Sequence, residues 1–276
     1  MILLKKSYLK YSYLRYYFLS LSLLVIFNIS VYASSQQAYK VGEKLKFKLY
    51  YSSAMTGNVR AGSMTSIVKK DSNTLKQLNQ YHFILDGETK GAFRWFFKAH
   101  DKYESIIDAT TSLPNYYSEW KKEGSYFANM QVYFNQDKGE IKTINKKNND
   151  IRNYNTPLRV HDLLSSLYFI RNWDFTKAKI NQSYSISLFM DDSVYQIKFK
   201  IIGRELIHTS LGAIKTIKLA PHVITGGVFA DETPMVIYLS DDKNHLPILA
   251  ESKLMIGKAR IELTEYSQLK YPLQRQ

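Results

Sequence analysis

The chain contains no cysteine among its 276 residues. That absence removes a disulfide framework, a thiolate zinc site, a cysteine nucleophile and the lipid-modified cysteine that would anchor a bacterial lipoprotein. Signatures of catalysis are missing too: there is no Gly-x-Ser-x-Gly elbow to present a serine and no glycine loop to cradle phosphate. The six histidines, at positions 82, 100, 161, 208, 222 and 245, never stand two or four apart, the spacings that aim two imidazoles at one metal. Neither a metal nor a cofactor is therefore expected, and no catalytic residue is assigned. Asp241 and Asp242 beside His245 hold the ingredients of acid–base chemistry, which keeps a hydrolase as a third functional reading. The same Asp-Asp-Lys-Asn run, between two apolar stretches, is also what a turn requires, because Asp and Asn side chains bond their own backbone. Asp191 and Asp192 are read as a turn on the same grounds.

What is present starts with an export signal. Lys5, Lys6, Lys10 and Arg15 make a basic, acid-free beginning, and an apolar run over residues 18–29 follows, broken by Ser20, Ser22 and Asn28. Val31-Tyr32-Ala33 places small residues where a signal peptidase reads, so cleavage after Ala33 is expected. An uncleaved anchor is the alternative; the unbroken apolar core falls short of the ~20 residues a spanning helix needs. Without the leader's four cations the formal charge falls from +14 to +10. A basic exported protein meets lipid, lipopolysaccharide or acidic glycan rather than nucleic acid. Its lysines alternate along strands instead of clustering, which solubility alone would also explain.

The 22 tyrosines and 14 phenylalanines suit pleated, half-buried surfaces. After a polar tether at 34–38, Leu45, Phe47 and Leu49 alternate with Lys44, Lys46 and Lys48, the period of a strand with one face buried. Further strands are expected at 64–68, 81–85, 98–107, 115–121, 126–134 and 140–144. Gly57-Asn58 and Gly62 bracket a turn in this reading, and Asp86-Gly87 closes a strand. Residues 145–155, basic and rich in asparagine, read as an exposed loop, and the chain could part into two β halves joined around 145–173. Residues 160–173 change period: Leu163, Leu164, Leu167, Tyr168 and Ile170 make a helical stripe, with Asp162 at the amino end. Leu163, Leu167 and Ile170 are expected to pack on the sheet's concave face as core; the alternative is a lid over a lipid cavity, against which stands the lack of any glycine hinge between Gly139 and Gly203. Period two then returns in hairpins over 184–201 and in a closing meander over 236–263.

One segment breaks its neighbours' alternation: Phe93, Arg94, Trp95, Phe96, Phe97 and Lys98 set four aromatics between cations. It reads either as a lip that meets lipid or glycan, with Arg94 and Lys98 for anionic groups, or as an aromatic strand or turn plugged into the core. The balance of the sequence favours the core.

At the carboxyl end, Met235-Val236-Ile237-Tyr238-Leu239-Ser240-Asp241-Asp242, then Leu246-Pro247, Glu251-Ser252-Lys253 and Gly257, resembles the bacterial family known as domain of unknown function 3108. Val41-Gly42-Glu43-Lys44-Leu45, Ala61-Gly62, Asp162-Leu163-Leu164-Ser165 and the segment 212–221 extend the resemblance over nearly all of residues 34–276. What it implies is an exported, mostly β protein of the outer envelope, with no chemistry attached.

The expected fold is all-β and mainly antiparallel, its curved sheets or open barrel enclosing one amphipathic helix near residues 161–173. Residues 1–33 are the signal peptide and 34–276 a β-rich domain. The expected role is non-catalytic: a periplasmic or envelope-associated carrier of an amphipathic or anionic molecule. The alternative is an assembly protein with a solid core and an envelope protein partner.

Overall fold

A computed structural model describes residues 37–70, 79–225, 228–229 and 235–276. The leader and its expected cleavage site lie outside the described residues. The described residues form one compact unit.

The first half of the chain is a run of antiparallel hairpins. It comprises β1 (Lys44–Ser53), β2 (Gly57–Lys70), β3 (Gln80–Thr89), β4 (Ala99–Asp108), β5 (Pro114–Glu123), β6 (Tyr126–Asn135), β7 (Glu140–Asn145) and β8 (Asp150–Asn155), with a four-residue helix α1 (Phe93–Phe96) between β3 and β4. A two-residue strand β9 (Val160–His161) and helix α2 (Leu163–Ile170) lead to the second half. That half holds β10 (Ser183–Met190), β11 (Ser193–Thr209), β12 (Gly212–Thr225), β13 (Val228–Phe229), β14 (Met235–Ser240), β15 (Pro247–Lys253) and β16 (Lys258–Ser267).

Among the described residues, all sixteen strands join one sheet, in which β8 to β1 run in reverse order and continue into β16, β15, β14, β12, β11, β10 and β9, with β13 paired to β12. The first and last strands of the chain therefore meet in the middle of the sheet, Lys44 opposite Ser267 and Ser52 opposite Lys258. The ends of the sheet are β8 and β9, which are neighbours in sequence. The backbone ladder stays open there, but side chains bridge the seam. Gln136 Nε2 donates to the Val160 carbonyl at 2.8 Å and its Oε1 accepts from Val160 N at 3.2 Å, standing in for a ladder partner. Arg152 reaches Asp192 at 2.7 Å, and the rings of Tyr154 and Phe189 lie 5.3 Å apart. The result is the open, barrel-like β fold that the alternation implied, with α1 as a second, short helix.

The pleat sends alternate residues to one inner face. Val68, Phe83, Ser105, Tyr117, Val132 and Thr143 stand opposite one another across β2 to β7 and are all buried. Helix α2 lies on this row. Asp162 caps it: Oδ1 accepts from Ser165 N at 2.8 Å, Ser165 Oγ accepts from Asp162 N at 3.0 Å, and Asp162 Oδ2 accepts from Ser105 Oγ at 2.7 Å. Satisfying the orphan amides of the first turn fixes where the helix begins. Tyr168 stacks on Phe83 at 3.8 Å and shares a hydrogen bond with Ser66 at 2.8 Å.

Four expectations are corrected. The helix is shorter than residues 160–173, because β9 pairs with β10 before it begins. Its buried face is Leu164, Ser165, Ser166, Tyr168 and Ile170, while Leu163 and Leu167 are exposed. Two serines can go inward because the helix's own first turn satisfies them: Ser165 Oγ accepts from Asp162 N and Ser166 Oγ donates to the Leu163 carbonyl. Residues 145–155 are not a loop: only 146–149 turn, and β8 pairs with β7 from Asp150 opposite Asn145 to Asn155 opposite Glu140. Its polar composition reflects an edge strand with little burial. Gly62 and Asp86-Gly87 do not turn either; both lie inside β2 and β3, Gly62 where the chain comes so close to β3 that a Cβ would stand 2.6 Å from the Glu88 carbonyl.

Candidate functional site

Above the buried row, the inner face of β5 to β8 does not meet the helix. The next positions towards the β5–β6 turn are Glu119, Met130, Asn145 and Asp150, opposite one another in turn, followed by Lys121 and Ala128. With Tyr117, Val132, Thr143 and Arg152 they form one wall of a half-open cavity of about 670 Å³. The other wall is Phe189, Met190, Asp191 and Asp192, from the end of β10 and its turn into β11. Leu163 lines it from the first turn of α2, which accounts for that side chain's exposure.

The cavity is apolar low down and charged at its mouth. Tyr117 is buried against the core and its hydroxyl donates to Glu119 at 3.3 Å. Burial foremost, with the Glu119 charge behind it, pushes the Tyr117 phenol well above its ordinary range. Lys121 pairs with Glu119 at 3.0 Å and lies 5.7 Å from the centre of the Tyr103 ring. Burial pulls the Lys121 ammonium down, but the Glu119 bond and charge outweigh it and its pKa rises. Burial likewise pushes Tyr103 up to about 12. Across the mouth, Arg152 holds Asp150 at 2.8 Å and Asp192 at 2.7 Å. These charges answer one another, so the mouth offers paired polar groups rather than a field of one sign. Such a lining can orient a polar head while the floor takes an apolar body.

The aromatic segment is beside this mouth. Gly124 N, in the β5–β6 turn, donates to the Lys98 carbonyl at 2.7 Å, and Tyr126 of the same hairpin lines the cavity. The segment forms α1, none of whose residues is buried; Trp95 is 92% exposed and Phe96 88%. The expectation that it plugs the core is corrected: the core row is already filled by Phe83, Tyr117 and Tyr168. Phe93, Arg94, Trp95, Phe96, Phe97 and Lys98 thus stand together at the rim of the sheet.

The carboxylate doublets stand in turns. Asp191 and Asp192 carry φ of 48° and 60°, the left-handed pair of a tight hairpin. Asp242 accepts from Asn244 N at 2.9 Å and from Gln274 N at 3.1 Å, and Asp241 pairs with Arg204. His245 Nδ1 bonds the Arg171 carbonyl at 2.6 Å. Asp242 and His245 are thereby committed to holding backbone, and Asp241 and Asp192 to ion pairs with Arg204 and Arg152. Among the described residues, no three His, Asp or Glu side chains are placed to hold a metal ion.

Sequence reasoning did not single out Tyr117, Glu119, Lys121, Met130, Arg152 or Phe189. Alternation assigns the first four to one face of β5 and β6, but nothing local says that β8 and the β10–β11 turn close over that face.

The family model described as "Protein of unknown function (DUF3108)" matches residues 46–264. Among solved structures, the chain is similar to a beta-barrel-like protein of domain of unknown function DUF1849 from Brucella abortus. The TM-score is 0.54 at 9% identity, covering 84% of this chain and 99% of that one. At that identity the likeness carries the fold alone. No curated protein matches the chain.

Proposed function

We propose, from the premise that the chain belongs to the DUF3108 family, that it is an exported, non-catalytic binding protein of the cell envelope. It carries an amphipathic envelope molecule in the cavity between β5–β8 and the β10–β11 turn. The basic, acid-free leader supports export. The observation that carries the binding role is the contrast in the cavity lining between buried Tyr117, Val132 and Phe189 and the more exposed pairs Glu119–Lys121 and Arg152–Asp192. Its volume of about 670 Å³ lies within the ~300–1,000 Å³ of small-molecule sites. Because Glu119, Asp150 and Asp192 answer the cations, an amphipathic ligand fits better than one bound by negative charge alone.

The competing role, an assembly protein with a solid core, draws on the filled space beneath, where α2 covers the buried row. A fluorescent fatty acid separates the two. The carrier reading expects saturable binding of a dansyl-labelled fatty acid, weakened at least about tenfold by Ala128→Trp or Met130→Trp, which fill the cavity. Melting temperature should change little, since neither residue is fully buried. No saturable binding by the parent, or equal binding by both variants, would overturn the carrier.

A further inference from the structure

The alternation of hairpins places the β1–β2, β3–β4 and β15–β16 connections at one end of the sheet, and the structure sets their tips side by side. Tyr51 joins them: its hydroxyl donates to the Ile256 carbonyl at 3.0 Å and its ring lies 6.1 Å from that of Phe93. Lys90 N donates to the Ala61 carbonyl at 2.9 Å, holding the start of the α1 connection against β2. Gly257 approaches so closely that a Cβ there would stand 2.2 Å from the Ser52 carbonyl. Each tip carries large apolar side chains outward: Met55, 94% exposed, Trp95 and Phe96 on α1, and Leu254, Met255 and Ile256, of which Met255 is fully exposed.

Single exposed apolar residues are ordinary on protein surfaces, but three adjoining tips of this kind are not. Two features decide what meets them. First, the side chains stand on projecting turns rather than in a groove, so the matching surface must be broad and yielding rather than a peptide laid in a cleft. Second, cations ring the tips. Arg94 and Lys98 flank the aromatics, and Lys253 stands directly opposite Lys258 at the base of the Leu-Met-Ile turn. Like charges facing each other across a ladder repel, and an anionic surface relieves that repulsion. Apolar tips within a cationic collar are the chemistry of an interfacial anchor.

We infer that these three turns form a docking surface for an anionic phospholipid bilayer, with Trp95, Phe96, Met255 and Ile256 entering the interface and Arg94, Lys98, Lys253 and Lys258 meeting the headgroups. The inference stands apart from the identity of any cavity ligand. It includes Met55 and the 254–256 turn, which no pattern in the sequence connects with the aromatic segment.

The test is flotation of the protein, lacking residues 1–33, with vesicles of phosphatidylglycerol and phosphatidylethanolamine, and in parallel with phosphatidylcholine alone. Binding to the anionic vesicles is expected, with blue-shifted tryptophan emission that brominated lipid quenches and that Trp95→Phe largely removes. The pairs Trp95→Ala with Phe96→Ala and Met255→Ser with Ile256→Ser should each lower partitioning at least about tenfold, and Arg94→Glu with Lys98→Glu should abolish the preference for anionic lipid. All alter exposed residues, so the melting temperature should hold. Equal partitioning of the apolar pairs and the parent would overturn the inference. So would absence of vesicle binding, and self-association lost in the same variants would then reveal a protein-facing patch. Fatty-acid binding measured without vesicles reports on the cavity separately.

Discussion

Arg171 and Glu43 form a two-pronged ion pair that solvent hardly reaches: Nη1 to Oε1 at 2.6 Å and Nη2 to Oε2 at 2.9 Å, with side-chain exposures of 3% and 0%. Nε of the same arginine donates to the Asn244 carbonyl at 3.0 Å, and the guanidinium lies 5.2 Å from the centre of the Tyr168 ring. One side chain thus ties the residues before β1, the end of α2 and the β14–β15 turn. A buried pair costs much in desolvation, so its presence says less about net stability than its breakage would. Glu43→Gln or Arg171→Met alone should cost about 3–5 kcal/mol by leaving an unanswered buried charge. Glu43→Gln with Arg171→Met together should cost less than the two singles summed. Urea unfolding of the four proteins checks both statements, and single variants within about 0.5 kcal/mol of the parent would refute the first.

What the sequence made legible was local. Leu45 and Phe47 are buried because period two puts them there, and the Asp191-Asp192 turn needs two left-handed residues, which aspartate tolerates. Asp162 stands at the amino end of the helix, where its charge and its side-chain oxygens suit a cap. The face of that helix is not legible, because six of its eight residues are apolar or aromatic and lie all around it. Ser66 and Ser105, on strands far away in sequence, decide the matter by offering partners to Tyr168 and Asp162. The site is illegible for the same reason at greater distance. Its walls come from strands joined only by the curl of the sheet, and Arg171 finds Glu43 across 128 positions.

The helix face can be tested by paired truncations. Leu164 is 2% exposed and packs in the cluster with Phe83 and Tyr168, so Leu164→Ala should cost about 2–5 kcal/mol. Leu167 is 42% exposed, and Leu167→Ala should cost under about 1 kcal/mol. Thermal and urea melts of the two variants should differ clearly. A Leu167→Ala variant as unstable as Leu164→Ala would mean the helix is turned the other way.

Two glycines on the β2–β3 ladder should answer oppositely to the same change. A methyl at Gly62 meets the Glu88 carbonyl, backbone that cannot swing aside, so Gly62→Ala should cost about 1–3 kcal/mol. At Gly87 the nearest atom to an added Cβ is the Met64 Cγ at 3.6 Å, ordinary contact. Gly87→Ala should be neutral or stabilise by about 0.4–1 kcal/mol through the unfolded chain. Denaturant midpoints decide it, and equal behaviour of the two would show that the strands adjust freely at Gly62.

His161 and Asp162, adjacent and buried, should pull acid stability in opposite directions. Burial first, then the Arg159 charge, holds the His161 imidazole down to about 4, against 6.5 when free. Between those values the unfolded chain takes up a proton that the native protein refuses, so acidification destabilises. Burial pushes the Asp162 carboxyl up to about 6 from 3.8, overcoming the hydrogen bonds from Ser165 and Ser105 that favour its charge. Here the native protein holds a proton that the unfolded chain has lost, so acidification from 6 stabilises. The windows overlap below pH 6, where the parent's stability should change little from this pair. His161→Gln removes the destabilising arm, and that variant should gain stability relative to the parent as pH falls from 6.5 to 4.5. Asp162→Asn keeps a good cap but removes the other arm, and should lose stability over the same range. Stopping at 4.5 leaves out Glu104, held down to about 2 chiefly by its bond from His82. Urea midpoints across that range should diverge in opposite senses for the two variants. Parallel profiles would show that neither side chain is as shielded from water as its packing implies.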